Sequence, residues 1–113
     1  IEISGFCNVD RNNEQQLKMA VSQQPVSVAI QADSRNFQHY QSGVFDDYSC
    51  GTDLDHGVLV VGYGTLDNQD YWLVKNSWGT SWGGQGYIKL ARTDSTNSTG
   101  MCGIAMDASI PLM

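Results

Sequence analysis

Basic residues are scarce in this chain of 113 residues: six Lys and Arg stand against twelve Asp and Glu, a formal net charge of −6. That balance argues against nucleic acid or an anionic membrane surface as a partner, since both are bound through basic surface. Long hydrophobic runs are missing too, and nothing approaches the roughly 20 apolar residues of a membrane-spanning helix. With two His, three Cys and no Cys-x-x-Cys pair, ligands are too few and too widely spaced for a zinc site, and no other cofactor is implied. Gly62-Tyr63-Gly64 and Gly84-Gln85-Gly86 lack the longer fingerprint and the Lys-Ser/Thr ending of nucleotide-binding loops, so they read as turn glycines. Repeats and low-complexity linkers are also absent. Ile1-Glu2-Ile3 begins like the middle of a domain, without the pattern of a signal peptide, so a fragment or a processed chain is expected.

What is present suits a single folded unit. Hydrophobic residues make up 41% and charged ones 16%, enough for one core at this length and too little chain for two. A strand is expected over 1–6. Asn12 or Asn13 is placed to cap a helix that runs through Gln24 and stops at Pro25, with Leu17, Ala20 and Val21 on its buried face. Val26, Val28 and Ile30 alternate with Ser27, Ala29 and Gln31 in the period of a half-buried strand. The polar and aromatic stretch 33–43 suggests a turn with a short helical piece, where His39 reads as a surface histidine. Val58 to Val61 is apolar without interruption, which predicts a strand buried on both faces. Tyr71 to Asn76 and Tyr87 to Arg92 alternate and add two more strands.

His56 and Asn76 carry the chemistry. Imidazole moves protons near neutral pH, and it needs a partner that fixes its ring and tautomer. A neutral amide does this by accepting the proton of one ring nitrogen, which leaves the other free to activate a nucleophile. Two antiparallel strands joined by a polar turn, Thr65 to Asp70, bring His56 and Asn76 back to the same end.

The segments Asp55-His56-Gly57-Val58, Val61-Gly62-Tyr63-Gly64, Lys75-Asn76-Ser77-Trp78-Gly79, Trp82-Gly83 and Gly86-Tyr87-Ile88 resemble the C-terminal half of papain-like cysteine proteases. Gln24-Pro25-Val26-Ser27-Val28, Phe37 with Gly43-Val44-Phe45, and Cys102-Gly103-Ile104-Ala105 extend the resemblance over most of the chain. The fold it implies is the right-hand domain of that family: a mainly β, α+β unit spanning 1–113, with a twisted, barrel-like antiparallel sheet and one clear helix. His56 and Asn76 would then be the catalytic base and its orienting amide. The resemblance also implies that Trp78 shields the pair from water and that Asp55 tunes it electrostatically. Trp82 would meet the leaving-group side of a peptide. Ala29, Gly57 and Asp107 would line the pocket for the second residue before the cut, with Asp107 at its floor.

Three cysteines allow three choices of one disulfide. The resemblance favours Cys50 with Cys102, which would place the chain in an oxidising compartment such as a lysosome, a vacuole or the extracellular space. Cys7 reads as a buried free thiol or as the partner of a cysteine outside this chain. As a nucleophile it fits poorly, because the family's reactive cysteine opens a helix roughly 130 to 150 residues before the histidine. Cys7 precedes His56 by 49 residues, in the context Phe6-Cys7-Asn8. The expected partner is therefore an N-terminal half that carries the nucleophilic cysteine, on the same precursor or a second chain, with peptides and proteins as substrates. A homologue that binds peptides or plays a structural role without a nucleophile is the alternative. Asn97-Ser98-Thr99 is an acceptor sequence for N-glycosylation in a secreted chain.

Overall fold

The alternating segments form strands, and the computed structural model describes them within residues 5–112. In chain order the elements are β1 (Gly5–Asn8), α1 (Glu14–Val21), β2 (Val26–Ile30), α2 (Arg35–Gln38), β3 (Val44–Phe45), β4 (His56–Leu66), β5 (Gln69–Lys75), β6 (Tyr87–Ala91) and β7 (Ala108–Leu112). The seven strands make one sheet in the spatial order β1-β7-β2-β4-β5-β6-β3. It curls into a half-barrel, with α1 against β4. All pairings are antiparallel except the two-residue contact of β3 with β6, which is parallel.

The hairpin β4–β5 sets the geometry of the rest. Its turn is tighter than the six residues expected from composition. Both strands continue to Leu66 and Gln69, and only Asp67 and Asn68 lie between them, at φ 51° and 64°. Positive φ at both central residues matches the right-handed twist of the strands, and Asp and Asn tolerate it better than other residues with a Cβ. From this turn the register runs back to Leu59 opposite Lys75, with an irregularity between Val60 and Gly62.

One face of the sheet holds the core. Val26, Val28 and Ile30 of β2, Val58 and Val60 of β4, Trp72 and Val74 of β5, and Ile88 and Leu90 of β6 are all buried, at every second position. Leu17 and Val21 of α1 close over them. β4 departs from the expectation of burial on both faces, because Leu59 and Val61 are only half-buried. Helix α1 packs against β4.

Helix α1 is capped by Asn13, whose side chain accepts the Gln16 N–H at 3.0 Å. It ends at Val21 and not at Gln24. The N–H groups of Gln23 and Gln24 both turn back to the Ala20 carbonyl, and Pro25 disfavours helical backbone in the residue before it. Of the strand expected over 1–6, residues 5 and 6 fall in β1, and residues 1–4 lie outside the described residues. Two elements went unforeseen, β3 and β7. A disulfide joins Cys50 to Cys102 with Cα atoms 5.3 Å apart, linking single 3-10 turns at Tyr48–Cys50 and Met101–Gly103. Among the described residues no helix is long and apolar enough to cross a membrane.

Candidate active site

His56 opens β4, and Asn76 follows the last residue of β5. The hairpin pairing ends with Leu59, three residues after His56, opposite Lys75, one residue before Asn76. Asn76 is held from outside the hairpin as well, since its N–H donates to the Gly86 carbonyl at 2.9 Å. That bond depends on the glycine turns before β6. At Gly83, with φ +59°, a Cβ would stand 2.6 Å from the Tyr87 carbonyl oxygen, so a side chain there would force the turn apart.

The Asn76 side chain is buried, and its Oδ1 lies 2.7 Å from the Ser77 backbone nitrogen and 2.7 Å from His56 Nε2. The Ser77 N–H can only donate, so it must face the amide oxygen, and the amide cannot be reversed without setting donor against donor. An oxygen acceptor at His56 Nε2 in turn requires a proton on that nitrogen. The backbone of Ser77 thereby fixes the tautomer of His56, and Nδ1 is the nitrogen left free to take up a proton.

Trp78 covers the imidazole, with ring centroids 5.2 Å apart and planes 25° from parallel. Behind it Trp82 meets Trp78 edge-on at 5.1 Å, and Phe37 of α2 meets Trp78 edge-on at 5.7 Å and stacks on Trp82 at 5.4 Å. The Trp82 indole N–H donates to the Gln38 carbonyl at 3.0 Å, which ties the loop after β5 to α2. Phe37 is fully buried and locks both tryptophans. Its supporting place could not be read from sequence spacing, since it lies 41 residues before Trp78; the family resemblance includes Phe37 but gives it no such role.

Asp55 does not touch Asn76. Its Oδ1 accepts the Ala32 N–H at 2.9 Å, while its own N–H donates to the Ile30 carbonyl at 3.0 Å, so it braces the end of β2 against the start of β4. Asp55, His56 and Trp78 border a depression of about 200 Å³ together with Ala32, Asp33 and Gln38. Gly57 and Asn76 border a larger groove of about 440 Å³ along β2 and β4.

Ala29, Gly57 and Asp107 come together across three segments. Ala29 pairs with Gly57 in the β2–β4 register, and its N–H donates to the Asp107 carbonyl at 3.2 Å. Asp107 itself is exposed and borders a cavity of about 310 Å³ that it shares with Asp10 and Arg11. Trp82 stands apart from these three, beyond Trp78. His39 is exposed at the end of α2 and borders the same depression as Trp82. Cys7 lies on β1, which is separated from β4 by β7 and β2, so its backbone is three strands from His56.

An imidazole with one nitrogen committed to a buried amide and the other free is built for proton transfer to or from a neighbouring atom. The chain belongs to the papain family of cysteine proteases, whose family model matches residues 1–112. It is 53% identical over 112 residues to germination-specific cysteine protease 1 of Arabidopsis thaliana, covering 99% of this chain and 30% of that protein. Identity to cysteine endopeptidase Rep1 of Oryza sativa subsp. japonica is 58% over 113 residues, again with 99% and 30% coverage. Among solved structures, bromelain protease from Ananas comosus in complex with the E64 inhibitor superposes with a TM-score of 0.90 at 51% identity, over 98% of this chain and 51% of that one. The proform of the ragweed pollen allergen Amb a 11, a cysteine protease, gives 0.90 at 43% identity, over 100% of this chain and 34% of that one. The chain thus spans about a third or less of the length of the curated relatives it matches, and it corresponds to their C-terminal part.

Proposed function

We propose that this chain supplies the base and the orienting amide of a Cys-His-Asn endopeptidase, whose nucleophilic cysteine is carried by an N-terminal half. The observation that carries this reading is the double commitment of Asn76 Oδ1, to the Ser77 N–H and to His56 Nε2, each at 2.7 Å. It leaves Nδ1 to accept the proton of a thiol, giving a thiolate–imidazolium pair. The thiolate adds to the scissile carbonyl carbon. As the C–N bond breaks, the imidazolium returns its proton to the leaving amine, and a thioester remains. Water, deprotonated by His56, then cleaves the thioester, releasing the acid and restoring the thiol.

Trp78 keeps water from competing for the His56–Asn76 hydrogen bond, and the lower local dielectric strengthens that bond. Trp82 offers an apolar wall on the side of the leaving group. Ala29 and Gly57 leave a roomy pocket for the second residue before the cut, and Asp107 gives it an acidic edge that pairs with a basic side chain. The disulfide between Cys50 and Cys102 supports a lysosomal, vacuolar or extracellular location.

The experiment is an intact mass of the native protein, denatured without reduction, before and after exposure to a thiol-directed epoxide. Label on an N-terminal segment or second chain is the expected result, and its loss in a His56→Ala variant ties the reactive thiol to this imidazole. A lone, unlabelled chain overturns the proposal. The second reading, a homologue that binds peptides without cleaving them, would then take its place. One observation favours that reading for the chain by itself: Cys50 and Cys102 are bonded to each other, and β1 holds Cys7 three strands from β4.

A further inference from the structure

We infer that Asn97 carries an N-linked glycan, at a place that leaves the approach to His56 open. Asn97 lies in the connection 92–100 between β6 and the 3-10 turn at Met101–Gly103, within the acceptor triplet Asn97-Ser98-Thr99. Its side chain is exposed. The backbone around it is held in place. The Glu14 N–H donates to the Ser95 carbonyl at 2.7 Å, the Ser98 N–H to the Asn12 carbonyl at 2.9 Å, and the Ala105 N–H to the Thr99 carbonyl at 2.8 Å. The loop is therefore anchored on both sides of Asn97 while Asn97 itself projects, so a bulky substituent can be borne without displacing packed residues.

The second observation concerns the compartment. The disulfide between Cys50 and Cys102 forms in an oxidising lumen, and that lumen is where a secreted chain meets the glycosylation machinery. The reaction joins Asn97 Nδ2 to the anomeric carbon of an oligosaccharide donated by a lipid diphosphate. The bond from that carbon to the diphosphate oxygen breaks, Nδ2 gives up a proton, and the lipid diphosphate leaves. Residues 93–100 border neither the depression beside His56 nor the groove along β2 and β4. The glycan therefore covers the 92–100 loop and leaves peptide access unchanged; the site stands whether or not the proposed peptidase reading holds, while the test of access rests on that reading.

The test uses the full-length precursor that contains this chain, secreted from a eukaryotic host. After enzymatic deglycosylation in heavy-oxygen water, the peptide carrying Asn97 is expected to hold a heavy aspartate at this position, and an Asn97→Gln variant to lack the sugar mass. Because the first readout is made on the wild-type protein, it does not depend on the variant folding. Unmodified Asn97 in secreted protein that contains the Cys50–Cys102 bond overturns the site. Binding of a small peptide-like epoxide should proceed at the same rate before and after sugar removal, and a large gain on removal overturns the placement away from His56.

Discussion

Trp78 lies almost flat over His56, at 5.2 Å between ring centroids, and the same indole is gripped edge-on by Phe37 and Trp82. The imidazole is thus fixed in two ways: by the Asn76 amide in its plane and by the indole above it. Each constraint acts on a different degree of freedom. The amide sets which nitrogen bears the proton, and the indole limits how far the ring can tilt.

For the assembled protease, Asn76→Ala is expected to lower kcat by up to about a hundredfold, the scale of a catalytic group misplaced by one ångström, with KM little changed. Trp78→Ala should give a smaller loss with the same split, and Trp78→Phe should restore most of it. Steady-state kinetics on one peptide substrate checks all three. If KM rises in place of a fall in kcat, these residues bind substrate and do not position the base.

Asp107 gives a specificity prediction. Asp107→Ala should cut kcat/KM for substrates with arginine as the second residue before the cut by roughly two- to fivefold, the range of an exposed ion pair. Leucine substrates should be unaffected. Equal rates of wild type and variant on the arginine substrate would mean that the carboxylate faces water throughout.

Glu14 gives a stability prediction unrelated to the site. Its carboxyl group is fully buried and accepts hydrogen bonds from the Trp72 indole at 3.0 Å, the Thr93 N–H at 3.2 Å and the Thr93 hydroxyl. Glu14→Ala strands the buried Trp72 N–H and removes an acceptor from the part-buried Thr93 N–H, and is expected to cost about 2 kcal/mol, read as a lower urea midpoint. Glu14→Gln keeps one acceptor oxygen and should fall between the two.

Asp47 predicts a response to acid. The Ser49 hydroxyl, then the Asn36 amide and the Ser49 N–H, hold its carboxyl below the ordinary aspartate value. Between the folded and unfolded values the unfolded chain binds more protons, so stability rises with pH there. The contribution is complete above the unfolded value and is lost as pH falls through the folded one. An NMR titration should show the Ser49 and Asn36 resonances moving together at acid pH, and an Asp47→Asn variant should abolish that transition.

The core of the site was legible because its partners are local in the hairpin: two strands of alternating residues and a short turn suffice to bring residue 56 to residue 76. Burial was harder to read. Glu14 looks like a solvated first-turn acid, and only the arrival of Trp72 and Thr93, 58 and 79 residues away, makes it a core residue. The apolar run of β4 predicts burial on both faces, yet Leu59 and Val61 are only half-buried. β7 escaped notice because Pro111 interrupts an already short segment, and a proline in a strand is accommodated only where its missing N–H is not needed. The resemblance implies electrostatic tuning of the pair by Asp55; its bond to the Ala32 backbone N–H is a further contact that no local pattern encodes.

The bond between Cys50 and Cys102 spans 52 positions and encloses β4, β5, β6 and the 92–100 loop. Any single cut inside that span yields two pieces that remain one molecule. Such a nick is silent to size until a reductant is added, and His56, Asn76 and Trp78 stay covalently tied to the rest of the chain after it. Damage within the enclosed segment therefore changes connectivity without dispersing the site.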